Sequence, residues 1–291
     1  MTSKDVPLKG KTTIIRELGF ETYVLIAVCI CIIALTTLLV NVTLNGMDKL
    51  SLGLIVNYPS SNVEEAGMRP AILGSLYTVG LAVAMALPLG IATGLYLNEY
   101  GGKSRLSAVI QSALVNLAGV PSIIFGLVAL SFLAYTLGFG RSIITGSVAL
   151  AFLVLPLITV ITIESARLVP SSHRFGAYAL GASKYQVVFR VVFPSIIPAA
   201  LTSSILAVSR AMGEAAPILI ISGIIFIRRD PQSIFDEFTV MPLQIYNWVS
   251  RPSQEFIELS AAAIILLLLI IFALNIIAVY MRNRVQRRIV E

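Results

Sequence analysis

The chain has 291 residues, of which 57% are hydrophobic and 12% are charged, and its mean hydropathy is +0.91. Soluble domains contain about 45 to 50% apolar and about 25% charged residues, so this composition excludes a soluble globular protein and indicates that lipid is the solvent. The net charge of +6 does not indicate a nucleic-acid-binding protein, because the basic residues lie between long apolar runs instead of on a soluble domain.

The first predicted element is an apolar run at residues 23–44, which follows a basic tail at residues 1–22. The run has no small-residue cleavage site and is long enough to cross a bilayer, so we interpret it as a retained helix. Its two cysteines, Cys29 and Cys31, point to different helix faces, and no further Cys or His completes a metal set. We therefore expect them to contact lipid or neighbouring helices, and we expect no metal site.

Further apolar runs follow, each with at least about 20 residues, the length that a helix needs to cross a hydrocarbon core of about 30 Å. The runs without any charge lie at residues 23–44, 71–97, 106–139, 142–163 and 259–281. A sixth run at 191–227 is interrupted only by Arg210 and Glu214. The sequence therefore predicts an all-α polytopic membrane protein with six transmembrane helices in one domain, residues 23–281.

The distribution of Lys and Arg predicts the orientation of these helices. Six crossings place both termini on one side, where 14 basic residues fall, against six on the other side and Arg210 within a span. Since short cytoplasmic segments carry the excess of Lys and Arg, we predict that both termini are cytoplasmic. The tail at residues 282–291 is then a basic cytoplasmic segment.

Two predicted spans carry packing signals. The second has small residues at every fourth position, which clear one helix face for close approach by another helix: Ala82, Ala86, Gly90 and Gly94. The third is longer than one upright crossing requires and contains Pro121, which predicts a kink or local unwinding there.

The turn at Gly101-Gly102-Lys103-Ser104 resembles the end of a phosphate-binding loop. Such a loop needs a first glycine five residues before the second, and that position is Leu97. We therefore predict a tight cytoplasmic turn and no ATP site in this chain.

The segment at about residues 167–191 is the largest internal cytoplasmic loop and has helical signals of its own. Ser171 and Ser172 can cap a short helix, Gly181 predicts its stop, and a capping box at Ser183 and Gln186 predicts a second helix. An ordered loop with exposed apolar residues indicates a surface for a partner protein. The alternative is a linker whose apolar residues lie on the membrane surface.

From Ala177 to Pro194 this loop resembles in spacing the EAA loop of ABC import permeases, in which Glu-Ala-Ala is followed by three residues, Gly, nine residues and Ile-x-Leu-Pro. Phe175 and Gly176 stand in place of the Glu and the first Ala, which removes one possible salt bridge to the ATPase. The resemblance implies a coupling helix that docks into an ATPase subunit. The ATPase-coupling residues that it implies are Phe175, Ala177, Tyr178, Leu180, Gly181 and Lys184.

Segments 70–75, 96–101, 116–127 and 210–217 resemble the PstA family of phosphate-importer permeases more than the paralogous PstC family. The resemblance covers about residues 65–285. It implies a type I ABC importer permease fold in the inner (cytoplasmic) membrane, without enzymatic activity, surrounded by lipid. It further implies a PstC-like permease subunit, a PstB-like ATPase dimer that carries ATP and Mg, and a PstS-like phosphate-binding protein; neither a bound cofactor nor nucleic acid is expected.

Arg210 and Glu214 are the only charges within a predicted span, and an Arg there costs about 2.5 to 3.5 kcal/mol on insertion scales. Their spacing of four predicts an ion pair on one helix face. A guanidinium suits phosphate oxygens, so Arg210 is a candidate transient phosphate contact, with Glu214 preventing tight trapping. The alternative is a structural lock between helices.

Four neutral residues are further candidates for the substrate pathway, each with helix packing as its alternative role: Asn116, Ser122, Ser209 and Ser75. Gly213 and Pro217 flank the charged pair and favour flexing or unwinding of the helix there. The outer loop at residues 228–258 is a candidate docking face for the binding protein or an interfacial aromatic anchor.

Three other functions fit less of the sequence. A permease for sulfate or molybdate would use similar donors, and a channel or secondary carrier would need no coupling loop. A membrane enzyme fits worst, because His173 is the only histidine and Glu214 has no obvious catalytic partner.

Overall fold

The computed structural model describes residues 11–102, 104–223 and 226–290, with the side chains of 11–18 and 285–290 outside the description. Within these ranges the chain forms helices and no strand, apart from one isolated bridge between Ser142 and Glu237. The α-helices are α1 Lys11–Gly46, α2 Leu52–Val56, α3 Arg69–Leu95, α4 Arg105–Gly119, α5 Ser122–Val128, α6 Ile143–Leu168, α7 Ser171–Ala179, α8 Lys184–Val187, α9 Phe193–Gly213, α10 Ala216–Ser222, α11 Met241–Val249 and α12 Gln254–Val290.

Three short π-helical segments extend these helices. Tyr96–Tyr100 continues α3, Ala129–Thr136 continues α5, and Val188–Val192 joins α8 to α9. In the part of the chain that the structure describes, five helical stretches are long and apolar enough to cross a membrane: Gly19–Lys49, Arg69–Tyr100, Ile143–Leu168, Lys184–Gly213 and Gln254–Arg284.

A bent pair, Arg105–Gly119 followed by Ser122–Thr136, is the candidate for a sixth crossing in the described part of the chain. Its two halves meet at 108°. The kink expected at Pro121 is confirmed, because α4 ends at Gly119 and Val120 is extended (ψ 130°), as the residue before a proline prefers.

The two ends of the bent pair lie at opposite ends of α6. Near its start, Glu99 bonds Arg174, just beyond the carboxyl end of α6. After its end at Thr136, residues 137–142 lead directly to Ile143 at the start of α6. The 26 residues of α6 separate these two ends by about 39 Å, at about 1.5 Å per residue. The bent pair therefore changes sides, and the described structure agrees with six crossings.

We call the end of the bundle with Glu99 and Arg174 the basic end, and the opposite end the far end. Helices α9 and α12 run antiparallel between them, because Ser209 bonds Asn275 and Arg282 bonds Thr202. At the far end Gly46 of α1 packs closely on Ala261 and Ala262 of α12.

The small-residue face of α3 packs against α6, as predicted. Ala82 and Ala86 have no exposed surface. A Cβ at Gly90 would lie 2.7 Å from Ile158 Cγ2, and one at Gly94 would lie 2.7 Å from Thr162 Cβ. The two backbones therefore approach too closely for larger residues, as small residues allow in membrane helix pairs.

The predicted span at residues 191–227 has the wrong boundaries. The helical span begins at Lys184 and ends at Gly213, and a separate short helix, α10, follows. Pro217 explains the end, since it has no N–H to donate to the Gly213 carbonyl and its ring would clash there. The loop at the basic end is correspondingly shorter than residues 167–191, because α6 ends at Leu168 and the next span begins at Lys184.

Helix α1 lies at the periphery, and the most apolar part of its span has no buried residue. Cys29 and Cys31 are free and exposed there, which agrees with contact to lipid. The helix begins at Lys11, so it includes part of the predicted tail 1–22, whose first ten residues lie outside the described ones. At the other terminus α12 continues through residues 282–290.

Candidate functional site

Arg210 lines an apolar groove between α4 and α6. The groove has a volume of about 360 Å³, and the guanidinium comes from the exposed side of α9, near its carboxyl end. Every other residue of the lining is apolar: Leu114, Val115, Leu117, Ala118, Val120, Phe125, Leu153, Pro156, Leu157 and Val160. Arg210 therefore supplies the one charge in the described lining of this groove, and it is accessible from the open side.

This groove continues in both directions along α6. Val160 also lines a polar cavity of about 390 Å³ at the basic end, where Asn98, Gln111 and Arg167 lie. Leu117 and Phe125 also line an apolar cavity of about 410 Å³ that extends to Val148 and Phe152. The shared lining residues place the three cavities next to one another along α6, and Arg210 lines the middle one.

The ion pair predicted between Arg210 and Glu214 is wrong. Glu214 lies beyond the end of α9 with an extended backbone (φ −86°, ψ 107°), so the two residues do not share a helix face. Among the described residues, no hydrogen bond or ion pair joins them. The unwinding expected from Gly213 and Pro217 is confirmed, and it separates the two charges.

The structure separates the four neutral candidates into two kinds. Ser75 is buried and its Oγ accepts a hydrogen bond from the Met241 N–H at 2.8 Å, while the Ser209 Oγ donates to Asn275 Oδ1 at 2.7 Å. Both hydroxyls join helices, which favours their packing alternative. Asn116 is exposed on α4 and Ser122 is half-buried at the start of α5, on either side of the break, and neither lines the groove.

Sequence reasoning missed the polar residues at the basic end of the groove. Gln111 is a polar residue inside an apolar run, while Asn98 and Arg167 flank runs. Polar side chains in such positions are expected to face a bundle interior or a water-filled cavity. The presence of polar Gln111 in an apolar run would have indicated that its face of α4 lines a cavity.

The loop at the basic end exposes an apolar surface. Phe175 on α7 and Leu180 just after it are 68% and 91% exposed, Tyr178 is 40% exposed, and Ala177 is half-buried. Gly181 has φ +82°, a conformation that favours glycine and ends the helix as predicted.

The sequence predicts two helix caps in this loop. The capping box of Ser183 and Gln186 is present, with both reciprocal hydrogen bonds. The cap expected from Ser171 and Ser172 is wrong, because Pro170 occupies the N-cap position and makes no side-chain bond. Lys184 lies with its Nζ 4.8 Å from the centre of the Tyr100 ring, so its charge already contacts this chain.

The far end carries a polar cleft of about 480 Å³ between Tyr58 and residues 228–236. Asp230 bonds Arg69 at 2.7 Å and accepts from the Tyr58 hydroxyl at 3.2 Å. Asp236 accepts from the Gln232 and Ser233 N–H groups, and these hydrogen bonds hold the pKa of its carboxyl below the ordinary value. The segment is therefore an ordered surface.

Neither a metal cluster nor a phosphate-binding loop forms among the described residues. No group of three or more His, Cys, Asp or Glu residues there could hold a metal ion. The Ser104 N–H bonds the Gly101 carbonyl at 3.1 Å and Gly102 has φ +47°, which agrees with the predicted tight turn. Lys103 of that turn lies outside the described residues.

Comparison with known proteins gives a family match over most of the chain. Residues 86–289 match the model of the binding-protein-dependent transport system inner membrane component. The phosphate transport system permease protein PstA 1 of Mycobacterium tuberculosis (strain CDC 1551 / Oshkosh) is 34% identical over 76% of this chain and 72% of its own length. The phosphate transport system permease protein PstA of Mycobacterium leprae (strain TN) is 37% identical over 70% and 67%.

A solved structure shares the fold. A chain in the crystal structure of a bacterial alginate ABC transporter, in complex with an alginate pentasaccharide-bound periplasmic protein, has a TM-score of 0.69 at 13% identity, covering 94% of this chain and 97% of that one. The predicted type I importer permease fold and the predicted family resemblance are both confirmed.

Proposed function

The chain belongs to the family of binding-protein-dependent transport system inner membrane components, and from this membership we propose that it is the PstA-type permease subunit of an ATP-driven importer of inorganic phosphate. The relatives that are phosphate permeases by name support the substrate class. The single structural observation that supports anion transport is Arg210, the one charged residue among the described residues that line the groove.

Phosphate at neutral pH is an anion that cannot cross hydrocarbon without a compensating charge. The Arg210 guanidinium offers a planar fork of donors that matches two phosphate oxygens. The apolar walls exclude other partners, so the anion is held by few bonds and is released easily, which passage requires.

Glu214 acts separately from Arg210 in this proposal. Its half-buried carboxyl follows the end of α9, one turn of chain beyond the guanidinium. A carboxylate there repels an anion that binds Arg210, which limits the residence time of the anion without neutralising the guanidinium.

The groove is open along one side, and a PstC-like subunit closes it in the proposed assembly. A second permease chain supplies a wall that lipid cannot supply, because a charged guanidinium facing acyl chains is costly. A PstS-like binding protein delivers phosphate at the far end, which faces away from the cytoplasm, with both termini of the chain on the cytoplasmic side.

A PstB-like ATPase dimer docks at the basic end in this proposal, where ATP and Mg are bound by the ATPase and not by this chain. The exposed Phe175, Tyr178 and Leu180 supply the apolar part of that contact, with the Gly181 turn beside them. ATP drives transport by favouring one conformation of the permease pair over the other.

The test is phosphate uptake into proteoliposomes that carry the full complex, with Arg210→Gln and Arg210→Lys compared with the unaltered chain. We expect uptake to fall by at least about tenfold in Arg210→Gln, equivalent to the loss of about 1.4 kcal/mol or more of anion stabilisation, and less in Arg210→Lys, which keeps the charge without the planar fork. Arg284→Gln, which removes an exposed arginine near the carboxyl end of α12 and outside the groove, is the control for lost charge.

Competition by other anions decides the substrate. Phosphate and its analogue arsenate are expected to compete for uptake, whereas sulfate and molybdate are not. Uptake of sulfate in preference to phosphate would contradict the assignment, and unchanged uptake in Arg210→Gln would make the arginine structural.

A further inference from the structure

Arg174 of α7 makes three hydrogen bonds at the basic end. Its Nη2 donates to Glu99 Oε1 at 2.8 Å and to the Ala166 carbonyl at 2.6 Å. Its Nη1 donates to the Val169 carbonyl at 2.6 Å. One guanidinium thus joins the loop helix, the carboxyl end of α6 and the end of the span that contains α3.

Glu99 is held in place for this contact. Its side chain is only 9% exposed, that of Arg174 is 18% exposed, and the same Oε1 accepts from Asn98 at 2.8 Å. The residue lies in the π-helical segment Tyr96–Tyr100, in which one extra residue per turn changes the direction of the side chains. π-helical segments often occur where function needs such a change.

A second contact lies beside the first. Lys184, which begins the next span, places its Nζ over the ring of Tyr100, the neighbour of Glu99. Both ends of the loop are therefore attached to the same π-helical segment, by Arg174 at one end and by Lys184 at the other.

We propose that Glu99 and Arg174 are positioning residues, which fix the loop helix α7 to the basic ends of α3 and α6 so that its displacement is transmitted to both spans. The proposal rests on the proposed function, in which α7 carries the contact with the ATPase. The acid that anchors the helix is Glu99, in the π-helical segment that continues α3, whereas Phe175 stands at the loop position where the family has an acid. This leaves Phe175 and Leu180 free on the outer face.

Hydrogen exchange in the assembled complex tests the anchoring directly. With Glu99→Gln or Arg174→Gln, the amides of α7 are expected to exchange about tenfold faster, because a broken anchor permits local opening. Arg284→Gln removes an exposed arginine from the same end and should leave α7 exchange unchanged. Glu99→Asp keeps the charge and should give an intermediate exchange rate. This variant still tests the anchoring if one of the neutral variants fails to assemble.

The double variant Glu99→Gln with Arg174→Gln separates a pair from two independent effects. If the residues act together, its exchange rate equals that of the more severe single variant. Independent effects add as free energies, so a double-variant rate raised by the product of the two single-variant factors would overturn the proposal. Exchange in α7 that stays unchanged in both single variants would overturn it as well.

The transmission step has its own readout, the number of ATP molecules hydrolysed per phosphate imported. We expect this ratio to rise by about tenfold in Glu99→Gln while hydrolysis continues, within the range that coupling between sites usually spans. A ratio equal to that of the unaltered complex, together with fast α7 exchange, would refute transmission through the pair. If the unaltered complex imports no phosphate, the proposed function fails, whereas the exchange measurement still decides the anchoring.

Discussion

Three glycines of α3 share one helix but have different surroundings. A Cβ at Gly90 or Gly94 would come within 2.7 Å of Ile158 or Thr162, whereas nothing lies within 4 Å of one at Gly80. We expect Gly90→Ala and Gly94→Ala each to cost about 1 to 3 kcal/mol, because added carbon in a packed interface displaces the facing helix.

The matched substitution Gly80→Ala should be neutral or stabilising by about 0.5 to 1 kcal/mol. Alanine lowers the conformational entropy of the unfolded chain, so less entropy is lost when the helix forms. The apparent melting temperature of the complex in one detergent compares the three variants. A fall for Gly80→Ala as large as for Gly94→Ala would contradict the close packing of α3 on α6.

For single residues, the sequence predicts candidate site residues better than it predicts the contacts between their side chains. Arg210, the isolated basic residue of an apolar run, lines the apolar groove in the structure, and its role in the pathway stays a prediction. The pair with Glu214 fails because helical spacing holds only while the helix continues, and Pro217 ends it. The bond between Glu99 and Arg174 joins residues 75 positions apart, so no local pattern predicts it.

At the scale of elements, α7 presents its apolar residues to solvent instead of to the bundle. Leu180, at the carboxyl end of α7, is 91% exposed. Leu52 on α2, at the far end of the bundle, is 81% exposed and serves as a matched control. Leu180→Ser is expected to reduce ATPase association by about tenfold, as loss of a central apolar contact does at an interface. Leu52→Ser should leave it unchanged.

Association is measured as the ATPase retained on purified permease over a range of salt and detergent washes. Equal retention in the two variants would place the docking surface elsewhere on the basic end. Stability of the permease itself, followed in parallel, distinguishes lost docking from misfolding.

The boundaries of elements were harder to predict than their existence. The span predicted at residues 191–227 begins at Lys184 and not at residue 191. The helix continues through charged residues, whose long side chains reach the membrane surface. A test based on apolar runs stops at the first charge, so it always shortens such a helix. The capping box at Ser183, in contrast, gives the correct start, since it depends on backbone hydrogen bonds and not on hydropathy.

At the scale of the whole molecule, the number of crossings depends on the bent pair. If residues 105–136 only dip into the membrane and return, α6 runs in the opposite direction, and residues 61 and 172 lie on the same side. If the pair crosses, these two positions lie on opposite sides. The two ends of the bent pair lie at opposite ends of α6, which favours the crossing. The excess of Lys and Arg predicts that Ser172 is cytoplasmic.

Cysteine labelling distinguishes these topologies. In a chain without its own thiols, Cys29→Ser with Cys31→Ser, single cysteines replace Ser61 or Ser172, both of which are exposed. A membrane-impermeant maleimide is expected to label Ser61→Cys in intact spheroplasts, and Ser172→Cys only after permeabilisation. Labelling of both positions from outside would contradict six crossings, and reversed labelling would contradict the orientation. The orientation matters for function, because the face with Phe175 and Leu180 can meet a cytoplasmic ATPase only if residue 172 is on the cytoplasmic side.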